Sequence, residues 1–182
     1  MTERGKAAAD VDQRPLYVID TSALIDLQVA YGPQLTAGVW DFVATMVEDG
    51  RIIAPAAVYR EIRDRADRVA TWASNHRAMF IRDTPELYTR AKSDVIPLFL
   101  SPDGQLRMKE KAADPEVIAL ALILRDRQAG GLFRRPVLVV AHERRNVLRS
   151  HKPASRRSIP EVCRELDIEC IRLNGMLERE ES

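Results

Sequence analysis

The sequence predicts an α/β domain whose mainly parallel sheet has about four to five strands flanked by helices. Two observations carry that expectation. Short apolar runs bounded by polar or turn residues recur along the chain, and helical patterns lie between them. A third, the length of 182 residues, suits one domain that buries a core without staples.

Residues 1–14 are charged and hold no apolar h-region, so they read as a disordered leader rather than a signal peptide. The first strand is LYVI (16–19), which stops at Asp20; a short apolar helix follows over 22–29. GVWDFVATMVED begins an amphipathic helix over 38–48 that stops at Gly50, and RIIA (51–54) is the second strand. From Pro55 to about Phe80, the residues Val58, Ile62, Val69, Trp72 and Ala73 form one stripe at helical spacing. PELYTRAKSDVIPLFL continues as helix until Pro97, and SPDGQ (101–105) is a turn signal. Residues 64–113 thus read as helices capping one side of the sheet. Asp114 is an N-cap candidate, Pro115 fits the first helical position, and Gly130-Gly131 closes that helix. VLVV (137–140) is a strand, IPEVCREL (159–166) a helix and ECIRL (169–173) the last strand, with a short polar helix from Asn174. No repeat, low-complexity tract or boundary divides residues 15–178, which read as a single domain.

Formal net charge is +1, so no global field advertises a nucleic-acid partner and any basic surface is local. The longest apolar run, VIALALIL (117–124), falls far short of the about 20 residues that span a bilayer. A soluble cytoplasmic protein with no membrane partner is the expectation. Cys163 and Cys170 lack metal-site spacing and read as reduced and structural.

In an open parallel sheet, ligands gather at the carboxyl ends of the strands. Four acids fall at or near that edge. Asp20 closes the first strand, Glu61 lies about two turns into the helix after RIIA, Asp114 opens the DPEVIALALIL helix, and Glu143 follows VLVVAH. Each has a plainer use. Asp20 and Asp114 serve equally as helix caps, Glu61 as a partner for Arg65 one turn on, and Glu143 as a loop acid. Taken together, converging carboxylates repel and lose hydration, and a cation relieves both. Carboxylate oxygens suit Mg2+ or Mn2+, which activate a bound water and neutralise charge on phosphate. The implied chemistry is hydrolysis of a phosphodiester bond.

The ordered set, Asp20 in YVIDTSALIDL, Glu61 in APAAVYREI, Asp114 in ADPEVIALAL and Glu143 in VLVVAHE, resembles the PIN-domain family of metal-dependent nucleases. That family includes the VapC-type toxin ribonucleases of toxin–antitoxin pairs. The tail SIPEVCRELDIECIRLNGML is similar to that of an uncharacterised PIN subfamily, and the resemblance spans about residues 15–178. It implies a three-layer fold in which Asp20, Glu61 and Asp114 ligate the metal and Glu143 takes the fourth acidic position, usually Asp. Ser22 stands where the family has Asn or Ser that holds a metal water or an acid. Ala141 departs from the usual Thr or Ser, and removes a hydroxyl that would orient the site.

The run HERRNVLRSHKPASRR (142–157) carries six Lys or Arg against one acid. Alone it is a solvated loop. Beside a phosphate-cutting site it is a phosphate-binding rim, with Arg144, Arg145, Arg149 and Lys152 as candidate RNA contacts. RDRADR (63–68) alternates in sign and reads as a self-paired solvent face, and His142 is left outside the catalytic set as a surface residue. The resemblance further implies a homodimer and a cognate antitoxin lying in the acidic groove. The expected function is therefore a metal-dependent endoribonuclease, the toxin of such a pair. The alternative is a PIN-like scaffold without activity that binds RNA or a protein. An aspartyl-phosphate phosphatase would need a second Asp where Ser22 stands, and no glycine-rich turn supports a dinucleotide or P-loop site.

Overall fold

The computed structural model describes residues 13–32, 36–100, 112–129, 134–142 and 157–181. Residues 1–12 of the expected leader, the turn at 101–105 and Gly130-Gly131 lie outside the described residues. Five strands form one sheet: β1 (Leu16–Ile19), β2 (Ile52–Pro55), β3 (Phe80–Ile81), β4 (Val137–Val140) and β5 (Glu169–Ile171). Their order is β3-β2-β1-β4-β5, and every pairing is parallel. Tyr17 pairs with Ile52 on one side of β1 and with Leu138 on the other, so β1 is the central strand.

Successive strand residues point to opposite faces, yet Tyr17, Val18 and Ile19 are all fully buried. Both faces of the sheet must therefore be covered, which gives three layers and explains why β1 and β4 are continuous apolar runs. The described helices are α1 (Thr21–Ala30), α2 (Ala37–Glu48), α3 (Ala56–Arg63), α4 (Arg68–Asn75), α5 (Pro85–Arg90), α6 (Asp114–Arg127), α7 (Ile159–Glu165) and α8 (Leu173–Glu181). In α6 the residues from Val117 to Ile123 are all buried, as befits a helix apolar all round that lies across β4, β1 and β2. Gly50, at φ 66°, ends the α2 region in the left-handed conformation that glycine adopts without penalty. Ser158 and Glu161 form the reciprocal capping box of α7.

Three expectations are corrected. The stripe from Pro55 to Phe80 is two helices, because Asp67 turns out of the helix and its carboxylate caps α4 at Ala70 N–H, 3.1 Å away. Its apolar residues still reach the core: Val58, Ile62, Val69 and Ala73 are buried. The helix expected to Pro97 is α5 followed by a π turn over Ala91–Val95 and a 3-10 turn over Ile96–Phe99. The short edge strand β3 is an addition: Phe80 and Ile81 pair with Ala54 and Pro55. The sign-alternating stretch does pair with itself, Arg63 with Asp64 at 3.1 Å and Arg65 with Asp67 at 2.7 Å.

At the amino end of the sheet, Arg51 is 3% exposed and needs an anion there. Glu180 of α8 supplies it, at 2.6 Å and 2.5 Å to the two guanidinium nitrogens, and also accepts from Tyr17 Oη at 2.6 Å. Cys163 and Cys170 are free thiols. A hydrogen bond with Cys170 and then burial push the Cys163 thiol well above its ordinary range, which keeps it protonated and inert.

Candidate active site

The chain leaves β1 for β2 on one side and reaches β4 on the other, so the connections diverge at the carboxyl ends of β1 and β4. That divergence opens a crevice, the usual place for a ligand in an open α/β sheet. Asp20 stands there. Its N–H donates to Val140 O at 2.9 Å, fixing it to the ends of both central strands. Its Oδ2 accepts from Ser22 N at 2.9 Å and from Ser22 Oγ at 2.6 Å, so the carboxylate caps α1. Cap and site readings therefore coexist, since one oxygen serves the cap and Oδ1 is outside those bonds.

Asp20 is 5% exposed, and burial pushes its carboxyl up to about 6. The two hydrogen bonds from Ser22 pull it down, while the charges of Asp114 and Glu61 push it further up. Three of the four expected acids thus share one electrostatic neighbourhood.

Glu61 does not pair with Arg65. Its Oε2 accepts from Thr21 Oγ1 at 2.5 Å and its Oε1 from Ala113 N at 2.9 Å. Both donors are neutral, so the charge on Glu61 is oriented without being cancelled. The N-cap expectation for Asp114 is overturned: Asp114 is the first helical residue, and Ala113 holds the cap position with no side-chain cap bond. The Ala113 N–H goes to Glu61 instead, which docks the start of α6 onto α3.

Ser22 joins the two sides of the crevice. Its Oγ donates to Asp20 and accepts from His142 N at 2.9 Å. His142 is more than a surface residue, for its Nδ1 contacts the Asp26 carboxylate one turn along α1 from Ser22. Glu143, Arg144, Arg145, Arg149 and Lys152 lie outside the described residues.

Two participants escape the sequence reading. Thr21 sits in the Asp-Thr-Ser run, but only the fold brings Glu61 to its hydroxyl. Glu116 lies two residues after Asp114, a spacing that sends side chains to different sides of a helix. Burial pushes the Glu116 carboxyl up; Arg60 opposes this, and Asp83 and Glu61 add to it. Glu116 is thus a further acid coupled to Glu61.

Asp20, Glu61 and Asp114 are the described residues that could hold a divalent ion. Their donors are hard oxygens, and the unfavourable charge at Asp20 is the kind a cation relieves. Among the described residues, no three His, Cys, Asp or Glu side chains are set to hold a metal ion as they stand. Mg2+ needs no such cage, because it keeps several waters and takes one or two carboxylates. The donor set fits.

A protein-family model matches residues 17–182, from within β1 through α8. The chain belongs to the DUF4411 family, described as a domain of unknown function. Comparison with curated proteins and with solved structures gives no match. The DUF4411 match takes in the whole crevice, including Asp20, Thr21, Ser22, Glu61, Asp114 and Glu116. Among the described residues of this DUF4411 chain, no helix is long and apolar enough to cross a membrane.

Proposed function

We propose that this DUF4411 chain is a PIN-like, metal-dependent endoribonuclease that hydrolyses RNA phosphodiester bonds. The observation that carries the reading is the buried Asp20 carboxylate, raised to about 6 beside Glu61 and Asp114 at the divergence of β1 and β4. Burying one acid against two others is unfavourable unless something positive completes the group. The ordered resemblance to PIN nucleases supports the same assignment.

In this reading Asp20, Glu61 and Asp114 hold Mg2+ or Mn2+, with Glu61 oriented by Thr21 and the Ala113 N–H, and with Glu143 as the fourth acid. When bound, the ion supplies a water of lowered pKa and positive charge for the phosphate oxygens. Ser22 keeps the Asp20 carboxylate in one orientation and ties it to the segment leading to Glu143. Thr21 does the same for Glu61, fixing the distance between the β1 and α3 acids. Arg144, Arg145, Arg149 and Lys152 provide the phosphate-binding rim. A homodimer in the cytoplasm, silenced by an antitoxin that covers the acids, completes the proposal.

A second reading has a specific observation behind it. Both oxygens of Glu61 already accept a hydrogen bond, as in a settled structural carboxylate. A scaffold that binds RNA or a protein without cutting would show this too. One assay separates them: single-stranded RNA is incubated with the protein and Mn2+ or Mg2+, beside an EDTA control and Asp20→Asn. Cleavage lost in both controls supports the nuclease; cleavage that survives either excludes the metal-acid mechanism. If the wild type binds RNA but cuts none with either ion, the scaffold replaces it.

A further inference from the structure

The nuclease reading leaves open how a polyanion approaches an edge lined with acids. Asp20, Glu61 and Asp114, with Glu116 beside Glu61, repel phosphate, so positive contacts flanking the acids must draw it in. Arg60 is adjacent to Glu61 on α3, about 100° around the helix from it. Glu61 turns inward to Thr21, whereas Arg60 reaches outward and bridges two other walls of the crevice. Its Nη1 meets Asp83, just beyond β3, at 2.6 Å, and its Nη2 lies 3.5 Å from both oxygens of Glu116 on α6.

This guanidinium is not locked in place. The Arg60 and Asp83 side chains are 44% and 58% exposed, and an ion pair so exposed opens easily. The contact with Glu116 is at the limit of hydrogen-bonding distance for both carboxylate oxygens. Arg60 is therefore shared between two carboxylates without a bidentate bond to either. Its planar fork matches phosphate, a stronger partner than the long contact it holds with Glu116.

We propose that Arg60 is a backbone-phosphate contact for single-stranded RNA on the β3 side of the crevice, held in reserve by Asp83. This rests on the nuclease reading and adds to it a strand path. RNA would cross the acids toward Arg60 at the β3 side. Because the contact is to phosphate, it carries no base preference.

The test is fluorescence anisotropy of a labelled single-stranded RNA in EDTA, where binding is read apart from cleavage. The full chain and its variants Arg60→Ala, Arg60→Lys and Asp83→Asn are titrated at several salt concentrations. Arg60→Ala is expected to weaken binding about 5–10-fold for unrelated sequences and to reduce the salt slope by about 0.7. Arg60→Lys keeps the charge, so its salt slope stays that of the wild type and its affinity is intermediate. Asp83→Asn frees Arg60 and tightens binding about 2–5-fold. Thermal melts check folding, and the lysine and Asp83 variants carry the test if the alanine variant fails to fold. Should the wild type bind and cut RNA while all variants share its affinity and salt slope, Arg60 is only a surface ion pair and the nuclease reading stands. A wild type that neither binds nor cuts RNA overturns both.

Discussion

Thr21 Oγ1 donates to Glu61 Oε2 at 2.5 Å, joining residues 40 positions apart. The hydroxyl that follows the end of β1 thus sets a side chain in the second turn of the helix after β2. β1 and β2 are parallel neighbours, so their carboxyl ends lie side by side and a one-residue step past β1 can reach α3.

Thr21→Val keeps the shape and removes the donor. Glu61 then retains only the Ala113 N–H and is free to turn. Under the nuclease reading, Mn2+ affinity and cleavage fall about 10–100-fold, as for other residues that orient a metal ligand. Calorimetric Mn2+ titration and a cleavage assay read this, with Thr21→Ser as the variant that restores it. A valine variant with wild-type affinity and rate would remove Thr21 from the site.

Asp20 also sets a pH dependence. Its folded value near 6 stands above the ordinary 3.8, so the folded state binds the extra proton. The stabilisation is full below about pH 4 and is lost as pH rises through 6. In EDTA, Asp20→Asn should flatten that part of the profile and be more stable than wild type at pH 7 by roughly 1–3 kcal/mol. Chemical denaturation at pH 4, 5, 6 and 7 measures it. Parallel wild-type and Asn curves would mean that the Asp20 carboxylate is not penalised by its burial and the acids around it.

A divalent ion should reverse the penalty. At about 100 times its dissociation constant, Mn2+ stabilises a chain that binds it by about 2.7 kcal/mol. Wild type should therefore gain melting temperature on adding Mn2+, and Asp20→Asn should gain little. An equal gain in both places the ion elsewhere.

Far from the crevice, Glu180→Leu strands the buried Arg51 charge and should destabilise by about 3–5 kcal/mol in urea. Arg51→Met with Glu180→Leu removes both charges and should recover most of the loss. Burial pushes the Glu180 carboxyl up, but the bonds from Arg51 and Tyr17 outweigh it and hold it below the usual range. Its contribution is thus present at neutral pH and lost in acid, the opposite sign to Asp20. A double variant no better than the single one would show that packing, rather than charge, holds α8.

Much of this was legible in the residues because burial on both faces leaves a plain trace. LYVI and VLVV are uninterrupted apolar runs, and the described strands β1 and β4 coincide with them. β3 was hidden because two residues carry no period, and only pairing with β2 makes Phe80 and Ile81 a strand. The stripe through 55–80 spans a helix break, since Val58 and Ile62 on one helix and Val69 and Ala73 on the next happen to keep step. At the site, Asp20 and Glu61 could be found from where strands end. Asp114 was found too, but its expected cap role fails because Ala113 is the residue in that position. Thr21, Glu116 and Arg60 depend on partners from other elements, and nothing near them in sequence announces those partners.

The contact from Tyr17 to Glu180 spans 163 positions, almost the length of the chain. As a polypeptide emerges from the ribosome, Arg51 meets the growing sheet long before its counter-ion has been made. β1 likewise waits for β4 to cover its second edge, although β2 is at hand early. Nascent chains therefore carry an open strand edge until β4 is made and a buried-charge defect until Glu180 is made. The crevice is assembled only when β4 arrives to accept the Asp20 N–H, so a nascent chain that has not reached β4 has no organised acid cluster to act with.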